Sequence, residues 1–413
     1  MGWGVMLFKS LINFAFRKGT LRVIDHKGAE QVFGDGLPPR CTIRLTKASL
    51  QYTLAVNPGL SVPEAYMDGD LLIESGTLYD FIELAAQNYP GVESYPLINV
   101  LQLIGIGSNK LKQYNPVGVA KKNVAHHYDL SDELYDLFLD RDRQYSCAYY
   151  ADPDDDLETA QLNKKRHLAS KLLLGSGDLN VLDIGSGWGG LGMYLARVSD
   201  SRVTGVTLST EQHKVSNDRV RAAGLQDRVQ FHLADYRDLP RKFDRIVSVG
   251  MFEHVGKKNY KEFFSKLRDL MTDDGVAVIH SIGRLDTPSA INPFIRKYIF
   301  PGADVPALSE ITPVVEQSGL ICTDIEILRL HYAETLRHWR EAFEARRDEV
   351  AAIYDERFCR MWDLYLVICE MGFRYENLMV FQIQLSKSLD AVPLTRDYMF
   401  EWERAQVDKE KTA

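Results

Sequence analysis

The chain has 413 residues, 45% of them hydrophobic and 26% charged, with a formal net charge of −8. That length accommodates two domains, and the composition is that of a folded globular protein rather than a disordered or fibrous one. The acidic balance argues against general nucleic-acid binding, which wants a basic face, but leaves room for a local cationic patch at a membrane surface.

Five cysteines (Cys41, Cys147, Cys322, Cys359 and Cys369) show no paired spacing. They suit a reducing cytoplasm and supply neither a disulfide framework nor a metal motif. No run is long and apolar enough to span a bilayer. The stretch from Val5 to Phe16 is apolar but interrupted by Lys9 and Asn13, and it lacks the basic start and small-residue cleavage site of a signal peptide. Val5, Phe8, Ile12 and Phe16 share one helical stripe, followed by Arg17 and Lys18. Two readings stay open: a helix lying on a membrane, or a helix capping the core of its own domain.

Residues 1–115 are expected to form a small α+β domain that associates with lipid. Thr42–Leu45 and Ser49–Val56 read as strands and Leu78–Ala85 as an amphipathic helix. Gly105, Gly107, Asn115-Pro116 and the basic residues Lys110, Lys112, Lys121 and Lys122 read as a linker. Its charge is either a solvated face or an anchor to anionic lipid.

Residues 116–413 change pattern. Strands are expected at 181–184, 202–207, 229–233, 244–249 and 276–281, alternating with helices at 191–198, 211–223 and 259–271. That alternation predicts an α/β fold with a doubly wound, Rossmann-like parallel sheet. Residues 314–384 read as long helices rich in Trp, Tyr, Phe and Met.

The strongest local signal is Val181-Leu182-Asp183-Ile184-Gly185-Ser186-Gly187-Trp188-Gly189-Gly190. A buried strand runs into a glycine turn and then a helix, where backbone can approach a nucleotide-like ligand closely. Gly185, Gly187 and Gly190 satisfy a dinucleotide pattern, but the second strand ends in Thr207 rather than the acid that pattern wants. Asp183 with three alternating glycines fits an S-adenosylmethionine (SAM) loop better. At the end of the fourth strand, Glu253 and His254 follow the apolar Met251-Phe252, and His280 and Ser281 end the fifth. Ligands of open α/β sheets bind at these carboxyl ends, and a carboxylate in apolar surroundings usually has a task. The plainer alternative is a surface carboxylate paired with Lys257 or Lys258. Cys147 lacks the neighbours of a nucleophile and reads as an inert packed thiol. His126 and His127 lack a third ligand at metal spacing, so no metal site is expected.

Together these segments resemble the cyclopropane-fatty-acyl-phospholipid synthases. The resemblance rests on Tyr145-Ser146-Cys147-Ala148-Tyr149, the glycine loop, Gly205-Val206-Thr207-Leu208-Ser209, Asp235-Tyr236-Arg237-Asp238 and Phe243–Gly256. Tyr298-Ile299-Phe300-Pro301 and Arg360-Met361-Trp362 add to it, and it covers most of residues 120–390. One departure is Gly185-Ser186-Gly187, where the family often has Gly-Cys-Gly; Ser and Cys are near-isosteric.

The resemblance implies transfer of a methylene from SAM to a cis double bond of a phospholipid acyl chain. It places Tyr145, Ser146, Asp183, Gly185, Gly187, Trp188, Thr207, Gln212, Asp235 and Tyr236 around SAM. Cys147, Glu253, His280, Ile282 and Tyr332 would surround a bicarbonate that accepts the proton. Tyr149, Phe252, Phe300 and Tyr332 are candidates to stabilise a cationic centre. It further implies a cytoplasmic enzyme peripheral to the inner face of the membrane, a phospholipid partner, no nucleic acid, and a possible homodimer. The alternatives are a lipid C-methyltransferase that stops at a methyl-branched or methylene product, and a lipid-binding protein whose methyltransferase domain is inert.

Overall fold

The computed structural model describes residues 3–93, 130–175 and 177–412. The expected boundary at 115/116, the basic linker and His126-His127 lie outside them. The described residues divide into two compact units. The first comprises residues 3–93, Ala290–Phe300 and Leu336–Leu378; the second comprises residues 130–289, Pro301–Thr335 and Met379 onward.

The first unit holds a four-stranded sheet of β1 (Thr20–Ile24), β2 (Glu30–Gly34), β3 (Arg40–Leu45) and β4 (Leu71–Ser75) in the order β2-β1-β3-β4. β1 and β3 are parallel and the outer pairs antiparallel. In β3, Cys41, Ile43 and Leu45 point inward and alternate with Arg40, Thr42 and Arg44, as a half-buried strand requires. The helix Leu78–Gln87 opens with a reciprocal cap: the Thr77 hydroxyl accepts the Asp80 N–H at 3.1 Å, and the Asp80 carboxylate accepts the Thr77 N–H at 2.7 Å.

Two expectations change here. Ser49–Val56 is not a strand; Leu50–Val56 is a helix. Its buried residues are Leu50, Gln51, Leu54 and Ala55, a helical rather than an alternating spacing. The helix Trp3–Ala15 buries Phe8, Leu11, Ile12 and Ala15, and Phe16 after it, in the protein core. Its apolar stripe is therefore used internally, and the membrane-lying reading gives way to the core-capping one.

The first unit also takes helices from late in the chain. Glu356–Tyr375, capped by Asp355 on the Phe358 N–H at 2.7 Å, carries Glu370, whose carboxylate accepts from Tyr79 Oη at 3.3 Å. Tyr375 Oη in turn donates to Glu83 at 2.7 Å. No single cut in the sequence separates the two units.

The second unit is built on β5 (Asn180–Ile184), β6 (Arg202–Thr207), β7 (Val229–Leu233), β8 (Phe243–Val249), β9 (Met271–Arg284), β10 (Ile321–Ile327) and β11 (Leu378–Ser386). Their order is β10-β11-β9-β8-β5-β6-β7. β5 to β9 run parallel and β10 pairs antiparallel with β11. This is a doubly wound, Rossmann-like sheet with one antiparallel pair at its edge. Leu182, Ile246 and Ile279 face one apolar layer with Phe263 and Phe264; Val181, Val247 and Val278 face the other, with Leu191 and Leu195. β10 and most of β11 lie inside the stretch expected to be helical.

One helix defies its composition. Leu157–Lys171, started by Asp156 on the Thr159 N–H at 2.8 Å, is strongly polar, yet it buries Lys164, Lys165, Arg166, His167 and Lys171. Four of the five have an acidic partner: Lys165 has Asp142 at 2.5 Å, Arg166 has Glu410, His167 has Glu326 and Glu403, and Lys171 has Glu326; Lys164 donates instead to the neutral Gln144 and Ser146. Pairing is what makes such burial tolerable. Among the described residues no helix is long and apolar enough to cross a membrane.

Candidate active site

The strand order reverses beside β5, with β6 on one side and β8 on the other. The carboxyl ends of these strands open onto one cavity, at the switch point where such sheets take ligands. All ten residues expected around SAM line it: Tyr145, Ser146, Asp183, Gly185, Gly187, Trp188, Thr207, Gln212, Asp235 and Tyr236.

The turn after β5 forms because glycine can occupy it. Gly185 has φ +80°, and a Cβ there would lie 2.9 Å from Met251 Cβ. Gly187 has φ +53°, but a Cβ there would meet nothing within 4 Å. Open space beside a turn that only glycine adopts cheaply is what a closely approaching ligand needs. Beyond it the helix Gly190–Val198 presents its N-terminal N–H groups.

At the tip of β6, Thr207 Oγ1 donates to Gln212 Oε1 at 2.9 Å, while Ser209 caps the helix Thr210–Ala222 through the Gln212 N–H at 3.3 Å. After β7, Asp235 accepts from Arg237 at 2.7 and 3.0 Å, which fixes both side chains. Tyr236 packs edge-on against Phe263 at 5.7 Å. On the opposite wall Tyr135 lies edge-on to both Trp188 (4.9 Å) and Tyr145 (5.4 Å). Trp188 Nε1 donates to Asp132 at 3.3 Å.

Two polar atoms in this cavity wall are buried without a hydrogen bond among the described residues: Asp183 Oδ2 and Ser186 Oγ. Burial pushes the Asp183 carboxyl up to about 7. A polar, cationic ligand such as SAM would satisfy groups of this kind.

Lys164 was not anticipated. It is fully buried, and its Nζ donates to Gln144 Oε1 and Ser146 Oγ, both at 2.8 Å. Gln161, one turn earlier, donates to the carbonyls of Gln144 and Ser146 at 3.1 and 3.0 Å. The helix thus holds the 144–146 wall from behind. Burial lowers the Lys164 pKa to about 8.

The five residues expected at the base fall in two groups, and none lines the cavity directly. Glu253 sits in the 3₁₀ turn Phe252–His254 after β8, next to Met251 and His254, which do line it. Glu253 is 7% exposed; its Oε1 accepts the Ile282 N–H at 2.6 Å, and its Oε2 has no hydrogen bond among the described residues. Burial raises its pKa to about 7, and the Ile282 N–H pulls it back. Lys257 pairs with Glu310, and Glu253 is buried, so it is not the surface carboxylate of the plainer alternative. His280 lies two residues before Ile282 on β9, fully buried, and His254 is pushed down to about 4 by burial.

The second group is Cys147 and Tyr332. Cys147 is buried, with its Sγ 3.3 Å from the Ala148 carbonyl, and burial raises its thiol pKa far above the ordinary range. A thiol held so is inert, not a nucleophile. Ala148 N–H donates to Thr335 Oγ1 at 3.0 Å, one turn from the buried Tyr332.

Two of the four aromatic candidates for cation stabilisation are already engaged. Tyr149 stacks on His167 (4.2 Å) and on His331 (4.9 Å). Phe252 is core, packed on Tyr260 at 4.7 Å and Phe263 at 5.0 Å. Packing accounts for both. Phe300 belongs to the first unit, 6.0 Å from Tyr365.

Comparison with known proteins bears on this arrangement. Residues 118–383 match the family model described as mycolic acid cyclopropane synthetase. A probable fatty acid methyltransferase from Pseudomonas putida is 42% identical over 67% of this chain and 73% of its own length. The cyclopropane-fatty-acyl-phospholipid synthase of Escherichia coli K12 is 42% identical over 64% of this chain and 67% of its own. Among solved structures, a cyclopropane synthase from Mycobacterium tuberculosis superposes with a TM-score of 0.63 at 32% identity, covering 66% of this chain and 99% of that one. A mycolic acid cyclopropane synthase solved with SAH and CTAB gives 0.62 at the same identity and coverage.

Proposed function

The chain belongs to the mycolic acid cyclopropane synthetase family, and on that premise we propose that it transfers a methylene group from SAM to the cis double bond of phospholipid acyl chains. The observation that carries the reading is the buried, half-satisfied carboxyl of Glu253, placed within two residues of a cavity fit for SAM.

SAM supplies the methyl group. An alkene is a weak nucleophile, so accepting that methyl leaves a cationic centre on the chain, and one proton must leave the new methyl for the ring to close. The residues around Glu253 suit this. Phe252 and Val255 keep the region dry, which protects a cation from water. Bicarbonate, the proton acceptor in this reading, would be held by Glu253 and His280, with Tyr332 as a further partner. Two bare anions would repel, so Glu253 or the bicarbonate must carry a shared proton. A carboxyl poised at about 7 can do so.

Reaching an acyl chain in a bilayer requires peripheral contact with a membrane, and this reading assigns that contact to the inner face. Lipid handling is assigned to the first unit, and a homodimer is compatible with the reading.

The Pseudomonas putida relative is named a probable fatty acid methyltransferase, which leaves a second reading for this chain, a methyl transfer that stops short of the ring. Vesicles of cis-unsaturated phospholipid incubated with protein and SAM separate the two. Mass spectrometry should show acyl chains heavier by one CH₂. A methylene-branched chain has the same mass, so proton NMR must then show ring protons. Unmodified chains would sink both readings and favour an inert lipid-binding protein.

A further inference from the structure

His280 on β9 and Gln382 on the neighbouring β11 meet deep in the second unit, both buried. The His280 Nδ1 lies 3.1 Å from Gln382 Nε2. An imidazole nitrogen can donate or accept, so this contact alone does not locate the ring proton. The other end of the amide does. Gln382 Oε1 lies 2.8 Å from Lys171 Nζ. An ammonium group has only protons to offer, so the amide oxygen must face Lys171 and the –NH₂ must face His280. The His280 Nδ1 then accepts, and the proton of the neutral ring sits on Nε2.

The imidazolium form is excluded on the same ground, because it would set an Nδ1–H against an –NH₂. Burial and the nearby charges of Lys164, Lys171 and His167 also hold the His280 pKa well below its ordinary value. Lys171 is itself fixed by Glu326. Glu326 accepts from His167 Nε2 at 2.6 Å, and the His167 Nδ1 meets Glu403 at 2.5 Å. With a carboxylate on each nitrogen, His167 is an imidazolium, and the chain Glu403–His167–Glu326–Lys171–Gln382–His280 has one consistent set of donors and acceptors.

We propose that Gln382, oriented by Lys171, is a positioning residue that locks His280 as the neutral Nε2–H tautomer, so that the ring presents a fixed N–H donor to the anion that accepts the proton. This rests on the placement of His280 beside that anion. The opposite tautomer would turn a lone pair toward a negative charge.

The test uses the full chain with ¹⁵N-labelled histidine rings. The His280 signal, identified by its loss in His280→Asn, should show a protonated Nε2 and a bare Nδ1 at neutral pH. In Gln382→Leu that signal should average over both tautomers. Turnover on unsaturated phospholipid vesicles should fall at least tenfold, with the calorimetric Kd for SAM within about twofold. Once that signal is assigned, the wild-type spectrum tests the tautomer even if Gln382→Leu does not fold. A wild-type ring protonated at Nδ1 or at both nitrogens overturns the proposal, as does a Gln382→Leu protein with normal turnover. Normal turnover by His280→Asn would instead remove His280 from the site, and the wild-type spectrum still tests the tautomer by itself.

Discussion

Glu253→Gln should make the enzyme more stable while it makes it less active, and the gain should grow with pH. In the folded chain the carboxyl titrates near about 7, against 4.5 ordinarily. Between those values the folded state holds a proton that the unfolded state has lost, so stability falls as pH rises through the window. At about 1.4 kcal/mol per pH unit, the loss reaches about 3 kcal/mol near pH 8 and stays under about 1 kcal/mol near pH 5. Gln cannot ionise, so the variant escapes this loss. It keeps an acceptor for the Ile282 N–H, and its buried –NH₂ adds a cost that does not vary with pH. The informative quantity is therefore how the difference between variant and wild type changes with pH. Thermal melts should show the variant gaining roughly 3 °C on wild type between about pH 5 and pH 8, at about 1.2 °C per kcal/mol for a chain of 413 residues. A difference that stays flat with pH would refute the assignment of a raised pKa to this carboxyl.

The same variant should bind SAM normally and lose most of its turnover; depletion of carbonate should slow the wild type and its return should restore the rate, as read by vesicle assays. Gly187→Val fills the open space beside the turn and forces a β-branched residue to positive φ, so calorimetry should show SAM affinity down at least tenfold while the fold persists. Lys164→Met removes the donor shared by Gln144 and Ser146 and should weaken SAM binding by roughly 1–3 kcal/mol in the same assay. A chain starting near Val117 would lack the helix Leu78–Gln87, which packs within the first unit against Glu356–Tyr375. It should melt below the full chain and lose vesicle activity, a result that calorimetry and product analysis together would check.

The parts of the fold that could be read in advance are those whose pattern is local. β5, β6 and the middle of β8 are buried on both faces, so each shows as a short apolar run, while β7 at the sheet edge alternates; the residues that end each strand mark the crevice. That is why Thr207, Asp235 and Glu253 could be placed from position alone. Leu50–Val56 was misread because a short stretch with Thr53 and Val56 fits either period. β10 and β11 were missed because Ile321–Ile327 and Leu378–Ser386 sit between strong helices, and Gln382 and Gln384 break the apolar run. The role of Lys164 left no mark at all: Leu157–Lys171 has the composition of a solvated helix, and only partners distant in sequence make it an interior one. Two of the four aromatic candidates mislead for the opposite reason, since they turn out to be packed. Tyr149 and Phe252 stand beside suggestive motifs, but sequence does not say which face of a ring is already covered.

That interior helix constrains how the protein can be made. Its cations wait for carboxylates far down the chain: Lys171 for Glu326, 155 residues later, His167 for Glu403, 236 later, and Arg166 for Glu410, 244 later. At about 5–20 residues per second of synthesis, the longest of these gaps lasts roughly 10–50 s. Until then the helix is expected to stay in water, since burying three cations together without their carboxylates is costly. The glycine turn and its strands emerge early but cannot close over this helix. A nascent chain arrested before Glu403 should therefore be cut readily by protease within 157–171, whereas the released protein should resist. Completion of the cofactor pocket is in this way a late event of synthesis, gated by charge.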